Sequence, residues 1–347
     1  MKTMNFYQSI FQNNNLKVIK YLSLIILIFV LSFKANTEIP EKYKIESSLP
    51  KCKGTDYKKW NDCYGEYKFP RIEYKGEWKD GKLHGKGVLK EAWGGIYVGD
   101  FKNNLADGFG RQEETDGTWW EGEIKNDHLN GKGIFKYPDG GSYEGSFIDS
   151  IPTGYGKMVD ALGSVAEGEF KNYQLNGKGL YTSYNGDVYS GNFVDGFLEG
   201  EGKYTKKDGT IVTGNFKKDL LTGKGTWVFA SGNIAKGNFK EDLLSGYGIF
   251  TWVDGSKYKG QFKKGLKSGK GKYTDIEGDS YEGDWDEDEK HGHGKYIYSN
   301  GDTYVGQYKN GFRHGEGEWF YNNGNKYKGT FIKGVEQGYG VFTWYDG

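Results

Sequence analysis

From Tyr74 onward the chain repeats itself every 23 residues, and a strict short period of this kind makes the chain a row of like units, each dependent on its neighbours. Twelve copies begin at Tyr74, Tyr97, Trp120, Tyr143, Ala166, Tyr189, Val212, Ala235, Tyr258, Tyr281, Tyr304 and Tyr327, without insertion or deletion. Gly occupies the third position of every copy, from Gly76 to Gly329. A Gly-x-Gly pair follows, from Gly85 and Gly87 to Gly338 and Gly340, and a fourth Gly comes near the end, from Gly94 to Gly347. These positions hold 48 of the 57 glycines, so the glycine excess belongs to the repeat. Only 5 prolines and the lack of a Gly-X-Y period exclude collagen, and 17% aromatics exclude a disordered glycine-rich linker.

Within a copy the backbone is legible. In YKGEWK (Tyr74 to Lys79), Tyr, Gly and Trp alternate with Lys, Glu and Lys, the period of a strand with one aromatic and one charged face. A second strand is expected after the Gly-x-Gly pair, as in GIFKY (Gly133 to Tyr137) and GIFTW (Gly248 to Trp252). Asp-Gly or Asn-Gly ends eight copies, as at Asp139-Gly140 and Asn300-Gly301, which predicts hairpin turns between repeats. Each unit is therefore a two-stranded hairpin. The strand glycines predict aromatic rescue, a neighbouring ring lying over bare backbone, with rings stacked from repeat to repeat. One repeat cannot bury such a face alone, so stability must come from its neighbours.

The spacing Y-x-G-x-[WF]-x6-G-x-G-x6-G resembles the MORN repeat, the membrane occupation and recognition nexus family. YKGEWKDGKLHGKG (Tyr74 to Gly87) and YVGQYKNGFRHGEG (Tyr304 to Gly317) are close to that pattern. The resemblance covers 74–347 and implies an all-β fold, a single-layer, elongated, twisted antiparallel sheet of β-hairpins. Ala166, Val212 and Ala235 depart from the leading Tyr, which predicts a thinner aromatic ridge there. CKGTDYKKWNDCYGEYKFP (Cys52 to Pro70) looks like a degenerate repeat, with Cys63-Tyr64-Gly65 standing where Gly-x-Gly stands elsewhere and one residue missing. It resembles the Cys-containing start of exported bacterial MORN-repeat proteins.

The N-terminus is of another kind. Lys2, Lys17 and Lys20 precede the uncharged run Tyr21 to Phe33, and no acidic residue lies among the first 20. Thirteen apolar residues fall short of the ~20 that span a bilayer, so 1–36 reads as a signal peptide or as an uncleaved N-terminal helical anchor. Either places the remainder outside the cytoplasm: exported, periplasmic or extracellular, or tied to a membrane through 21–33. Residues 37–50 read as a linker, 51–73 as a Cys-containing cap and 74–347 as the repeats. Cys52 and Cys63 are the only cysteines, and an even number behind an export signal reads as one disulfide.

Motifs for chemistry are absent outside the repeat framework. No Gly-x-Gly pair sits in a phosphate loop or a βαβ unit. His84, His291 and His314 share one repeat slot, which means packing. The acidic run Asp284 to Glu289 lacks the central Gly and the final Glu of a calcium loop and reads as a solvated loop. The chain is expected to be no enzyme and to carry no cofactor. Lys+Arg and Asp+Glu are equal at 47, which gives no sign of a nucleic-acid partner. From Tyr74 on, 35 basic residues face 40 acidic ones, which argues against a polybasic lipid-binding patch.

Aromatics thicken toward the C-terminal half, and Trp252, Tyr298, Tyr321, Phe342 and Trp344 are the candidate interaction surface. The functional expectation is a non-enzymatic scaffold for protein–protein interaction or self-association at the cell envelope. The alternatives are a phospholipid-surface module and glycan binding through exposed rings. The strand after Gly340 ends the sequence with an apolar edge, which makes edge-to-edge homo-oligomerisation an expected contact.

Overall fold

Two-residue turns organise the repeat. In the computed structural model, β2 (Ile72–Lys79) and β3 (Lys82–Glu91) of the first repeat are joined by Asp80 and Gly81, both with positive φ (50° and 70°). That is a primed hairpin turn, whose twist matches that of the strands it joins. Asn126-Asp127 (49°, 68°) and Glu287-Asp288 (45°, 72°) make the same turn without the Asn-Gly signal. The second strand therefore starts three residues before the Gly-x-Gly pair rather than after it, and the pair lies inside the strand. The Asp-Gly and Asn-Gly dipeptides that end the copies make the other turn, between repeats, and it is wider. Gly117 N–H donates to Glu114 O (3.2 Å), Glu114 N–H donates to Thr118 O (2.8 Å), and only Gly117 has positive φ. This is a three-residue loop with its glycine in the left-handed region.

The structure describes residues 39–346, so the expected signal peptide or anchor, the apolar run 21–33 and Gly347 lie outside the described residues. Two units divide at Gly156/Lys157, inside β9 (Ile151–Val159). In the first, β1 (Cys63–Lys68) to β8 (Ser142–Ile148) pair antiparallel in chain order. In the second, β10 (Val165–Lys171) to β25 (Val335–Thr343) do the same. Each is an open all-β sheet, and helix among the described residues is limited to single turns at Glu41–Tyr43 and Tyr57–Lys59.

A line of facing glycines crosses each sheet. In the second unit it runs Gly260, Gly271, Gly283, Gly294, Gly306, Gly317, Gly329 and Gly340, each paired with the next. The leading tyrosine lies across two of them. A Cβ on Gly294 would sit 2.4 Å from the Tyr281 ring, and one on Gly87 2.3 Å from the Tyr74 ring. Beside this pair the strand bulges. Gly76 faces Gly87 and Trp78 faces Leu83, which leaves Glu77 without a partner in β3. The Tyr74 hydroxyl donates to the freed Glu77 carbonyl (3.0 Å), and Tyr281 donates likewise to Asp284 O (2.9 Å). Tyr74, Tyr258, Tyr281 and Tyr304 are fully buried in this way. Burial and the nearby Asp284 push the Tyr281 phenol well above its ordinary value.

Where the leading Tyr is missing, a leucine from the second strand takes its place. Leu175, Leu221 and Leu244 lie over Gly179, Gly225 and Gly248, with methyls 3.0, 2.7 and 3.2 Å from the ideal Cβ positions. The ridge loses its rings at Ala166, Val212 and Ala235 but remains filled. Neighbouring repeats are also stapled through their turns. Leu83 N–H donates to Asn104 Oδ1 (2.8 Å), while Asn104 N–H donates to Leu83 O (3.0 Å). Asp127 with Ala106, Asp242 with Leu221 and Asp288 with Lys267 repeat this exchange.

Cys63 and Gly65 occupy the Gly-x-Gly register: Cys63 faces Trp78 as Gly85 faces Phe101, and Gly65 faces Gly76 as Gly87 faces Gly99. The residue missing from this hairpin is lost at the β1–β2 turn, where Phe69 N–H reaches Ile72 O across two residues. Cys52 is disulfide-bonded to Cys63. Cys52 N–H donates to Tyr64 O (2.9 Å) and Tyr64 N–H to Pro50 O (2.8 Å), so this short stretch covers the outer edge of β1. Trp60 closes the end edge-on to Trp78, with ring centroids 5.0 Å apart. Upstream, Ser47 donates to Glu77 Oε1 (2.7 Å), and Lys42 and Tyr43 both reach Glu113.

Two outcomes follow from this packing. Gly294→Ala should lower stability by about 1–3 kcal/mol through overpacking against the Tyr281 ring. In a Tyr281→Ala background the same change should cost clearly less, as read by chemical denaturation. Replacing both cysteines by serine should destabilise the first unit by about 3 kcal/mol on the chain-entropy account, given a sequence separation of 11.

Candidate interaction surface

The aromatic face is built by register. The leading Tyr faces the sixteenth residue of its own repeat across the hairpin, as Tyr281 faces Tyr296 and Tyr304 faces Trp319. Side chains directly opposite share a face. Residue eighteen projects on that face too, two residues further along. Rings at these two positions form two runs in the second unit. Trp227, Phe229, Phe250, Trp252 and Tyr273 make the first, with consecutive centroids 4.8–6.0 Å apart. Tyr296, Tyr298, Trp319, Tyr321, Phe342 and Trp344 make the second, with spacings of 4.4–5.9 Å. The structure thus gathers Tyr298, Tyr321, Phe342 and Trp344 into one run, joined by Trp319, and places Trp252 in the other. Asp275 holds position eighteen between them. Phe342 and Trp344 are 41% and 63% exposed, and β25 has no ladder partner on its outer edge among the described residues.

Sequence reasoning missed a row of cations on the same face. Position ten of the repeat is Leu83, Ala106, Leu129, Pro152, Leu175, Leu198, Leu221 and Leu244 in the first eight copies, all buried. It is then Lys267, Lys290 and Arg313. Lys267 Nζ lies 4.5 Å from the Trp285 ring centroid, Lys290 Nζ 4.3 Å from Tyr296, and the Arg313 guanidinium carbon 4.4 Å from Trp319. All three are half-buried. Desolvation depresses the Lys267 and Lys290 amines, and for Lys290 the charges of Lys267 and Arg313 depress it further. Among the described residues none of the three has a carboxylate at ion-pairing distance. Arg313 Nη2 donates to Gly334 O (2.8 Å), while its Nη1 is buried without a partner. The readable signal was the switch from leucine to base at one repeat position.

The first two repeats differ at position eighteen, which holds Glu91 and Glu114. Burial, with Glu114 nearby, pushes the Glu91 carboxyl up to about 7, against a hydrogen bond from Trp93 that lowers it. Glu114 is itself raised by burial and accepts from Gln112 Nε2 (3.1 Å).

The histidine slot lies in the bulged stretch of the second strand rather than in a turn, as His291 faces Asp284. The acidic run is the end of β20 (Ser280–Asp286), its two-residue turn and the first residue of β21 (Glu289–Ile297). Among the described residues, no three His, Cys, Asp or Glu side chains come together as metal ligands, and no helix is long and apolar enough to cross a membrane.

A sequence profile of the MORN repeat matches twelve segments, from 74–95 to 327–347, in the register derived above. The chain belongs to the MORN-repeat family. Repeats of this family are protein or membrane interaction modules, which supports the reading of a repeat scaffold. Human and chimpanzee alsin are each 50% identical to it over 50 residues, which cover 14% of this chain and 3% of theirs. The match thus spans a small fraction of these curated relatives' length. Among solved structures, the TCP domain of Drosophila melanogaster SAS-4 is 10% identical at TM-score 0.26, over 38% of this chain and 73% of that one. The TCP10 domain of Danio rerio CPAP is 12% identical at TM-score 0.22, over 64% and 89%. Neither likeness carries a functional conclusion.

The raised Glu91 gives a pH dependence of definite sign. Its folded-state value of about 7 exceeds the ordinary 4.5, so the folded MORN repeats hold a proton that the unfolded chain releases. That stabilisation is complete below about pH 4.5 and is lost as pH rises through about 7. Thermal melting of the first unit from about pH 4.5 to about pH 8 should therefore show a smaller fall in Glu91→Gln than in the parent.

Proposed function

We propose that this MORN-repeat chain is a scaffold of an oxidising compartment at the cell envelope, whose second-unit aromatic face receives a protein partner. The observation that carries the reading is the run from Tyr296 to Trp344, contiguous rings in one row and open to solvent at Trp344. Rings of this kind supply large contact area at low entropic cost, and aromatic residues with Arg are enriched in protein interfaces. The disulfide between Cys52 and Cys63 supports the compartment, since such bonds persist where the surroundings are oxidising. The uncharged stretch 21–33 behind lysines supports export or anchoring.

A photo-crosslinking residue placed at 298 tests the reading in the producing cell, with position 282 on the opposite, charged face as control. Protein adducts from 298 and none from 282 are expected. Equal adducts from both positions, or lipid adducts alone from 298, would overturn it.

A further inference from the structure

We propose that Lys267, Lys290 and Arg313 bind an acidic segment of the partner in polyproline II conformation, with a carboxylate at every third residue. This rests on the aromatic face being a protein-binding surface.

The cations are not explained by folding. At the same position Leu198 and Leu221 are fully buried against the glycine line, and Leu175 and Leu244 nearly so. Replacing such a leucine by a base gives up apolar burial and desolvates a charge. Ring contacts offset part of this. Yet the three charges face no carboxylate at ion-pairing distance and repel one another, and Asp275, Asp279 and Asp288 offset this only from further away. These acids accept hydrogen bonds from other groups. Asp279 accepts from Ser299 N–H and the Tyr296 hydroxyl at 2.8 Å each. Asp288 accepts from Lys267 N–H (2.8 Å), and Asp275 from Glu277 and Asp279 N–H (3.0 and 2.9 Å). A row of half-buried cations lacking carboxylate partners, beside Arg313 Nη1 buried with no acceptor, points to an anion from outside.

Spacing selects the form of that anion. The unbroken glycine pairing fixes the register, so each repeat advances the row by two strands, about 9.6 Å along that line. A polyproline II segment returns to the same side every third residue, about 9.3 Å. An extended strand returns after about 6.6 Å and is out of step at the first interval, while a helix returns after seven residues, about 10.5 Å, and overshoots by about 1.8 Å over three charges, against about 0.6 Å short for polyproline II. Polyproline II segments dock in aromatic-lined grooves, and the rings at Tyr296, Tyr298, Trp319 and Tyr321 flank the row. Position ten of the last repeat is Glu336, so the row reads positive, positive, positive, negative. The complementary segment reads acid, acid, acid, base at every third residue. A broad anionic membrane surface fits less well, because the repeats carry more acids than bases.

The test uses the full chain and two synthetic peptides of one composition. One is (Glu-Pro-Pro)3-Lys-Pro-Pro, and the other has its three Glu contiguous. The spaced peptide should bind about tenfold more tightly. Lys290→Leu, which restores the residue found in other repeats, should weaken that binding about tenfold without lowering the thermal midpoint. Lys290→Glu should recover binding when the middle Glu of the peptide becomes Lys. Equal affinity for the two peptides, or no effect of Lys290→Leu, overturns the proposal. So does binding of phosphatidylglycerol vesicles or a sulfated glycan in place of the peptide with the same Lys290 dependence. Protein adducts at 298 without preference for the spaced peptide would leave the interaction surface standing and remove the acidic ligand alone.

Discussion

A tyrosine ring laid across two facing glycines is the contact from which the rest of this structure follows. A one-layer sheet has no second layer to bury its apolar face, so the ring must be buried against the backbone itself. That requires two residues without side chains, paired across the ladder, and any Cβ at either would collide with the ring. It also requires a local bulge, because the ring's hydroxyl needs an acceptor and the bulge frees one carbonyl for it. Tyr is therefore favoured over Phe at the head of the repeat, and the glycines follow from the ring rather than from turns.

Much of this was visible in the sequence. The period, the alternation in YKGEWK, the aromatic cover over glycine and the role of Cys63-Tyr64-Gly65 each depend on spacing, which is preserved in the letters. The turns were half legible. Asp-Gly at the end of a copy marks the hairpin between repeats, and Asp80-Gly81 marks the tight turn inside the first copy, but most tight turns carry no such signal. The tight turn uses pairs such as Asn126-Asp127 and Glu287-Asp288, whose left-handed conformations are held by the staple to the preceding repeat. A contact 21 residues away in sequence leaves little local trace.

The candidate surface was half legible. Thickening of aromatics at position eighteen located Tyr298, Tyr321 and Trp344, but their connection through Trp319 depends on residue sixteen, which the repeat hides among residues read as ordinary ridge. Lys267, Lys290 and Arg313 were lost for a related reason. In a chain where 27% of residues are charged, three bases are unremarkable until position ten is known to be buried elsewhere.

The staple between turns has a consequence for how such a chain can change. Every exchange from Leu83–Asn104 to Lys267–Asp288 reaches one repeat and no further. A block of 23 residues could be removed or duplicated within a unit, and the flanking repeats would meet new neighbours offering the same backbone groups. The sheet is thus a ruler graduated in steps of about 9.6 Å. Substitution alters what stands at a mark, and duplication alters how many marks there are, while the interval between marks stays fixed by hydrogen bonding.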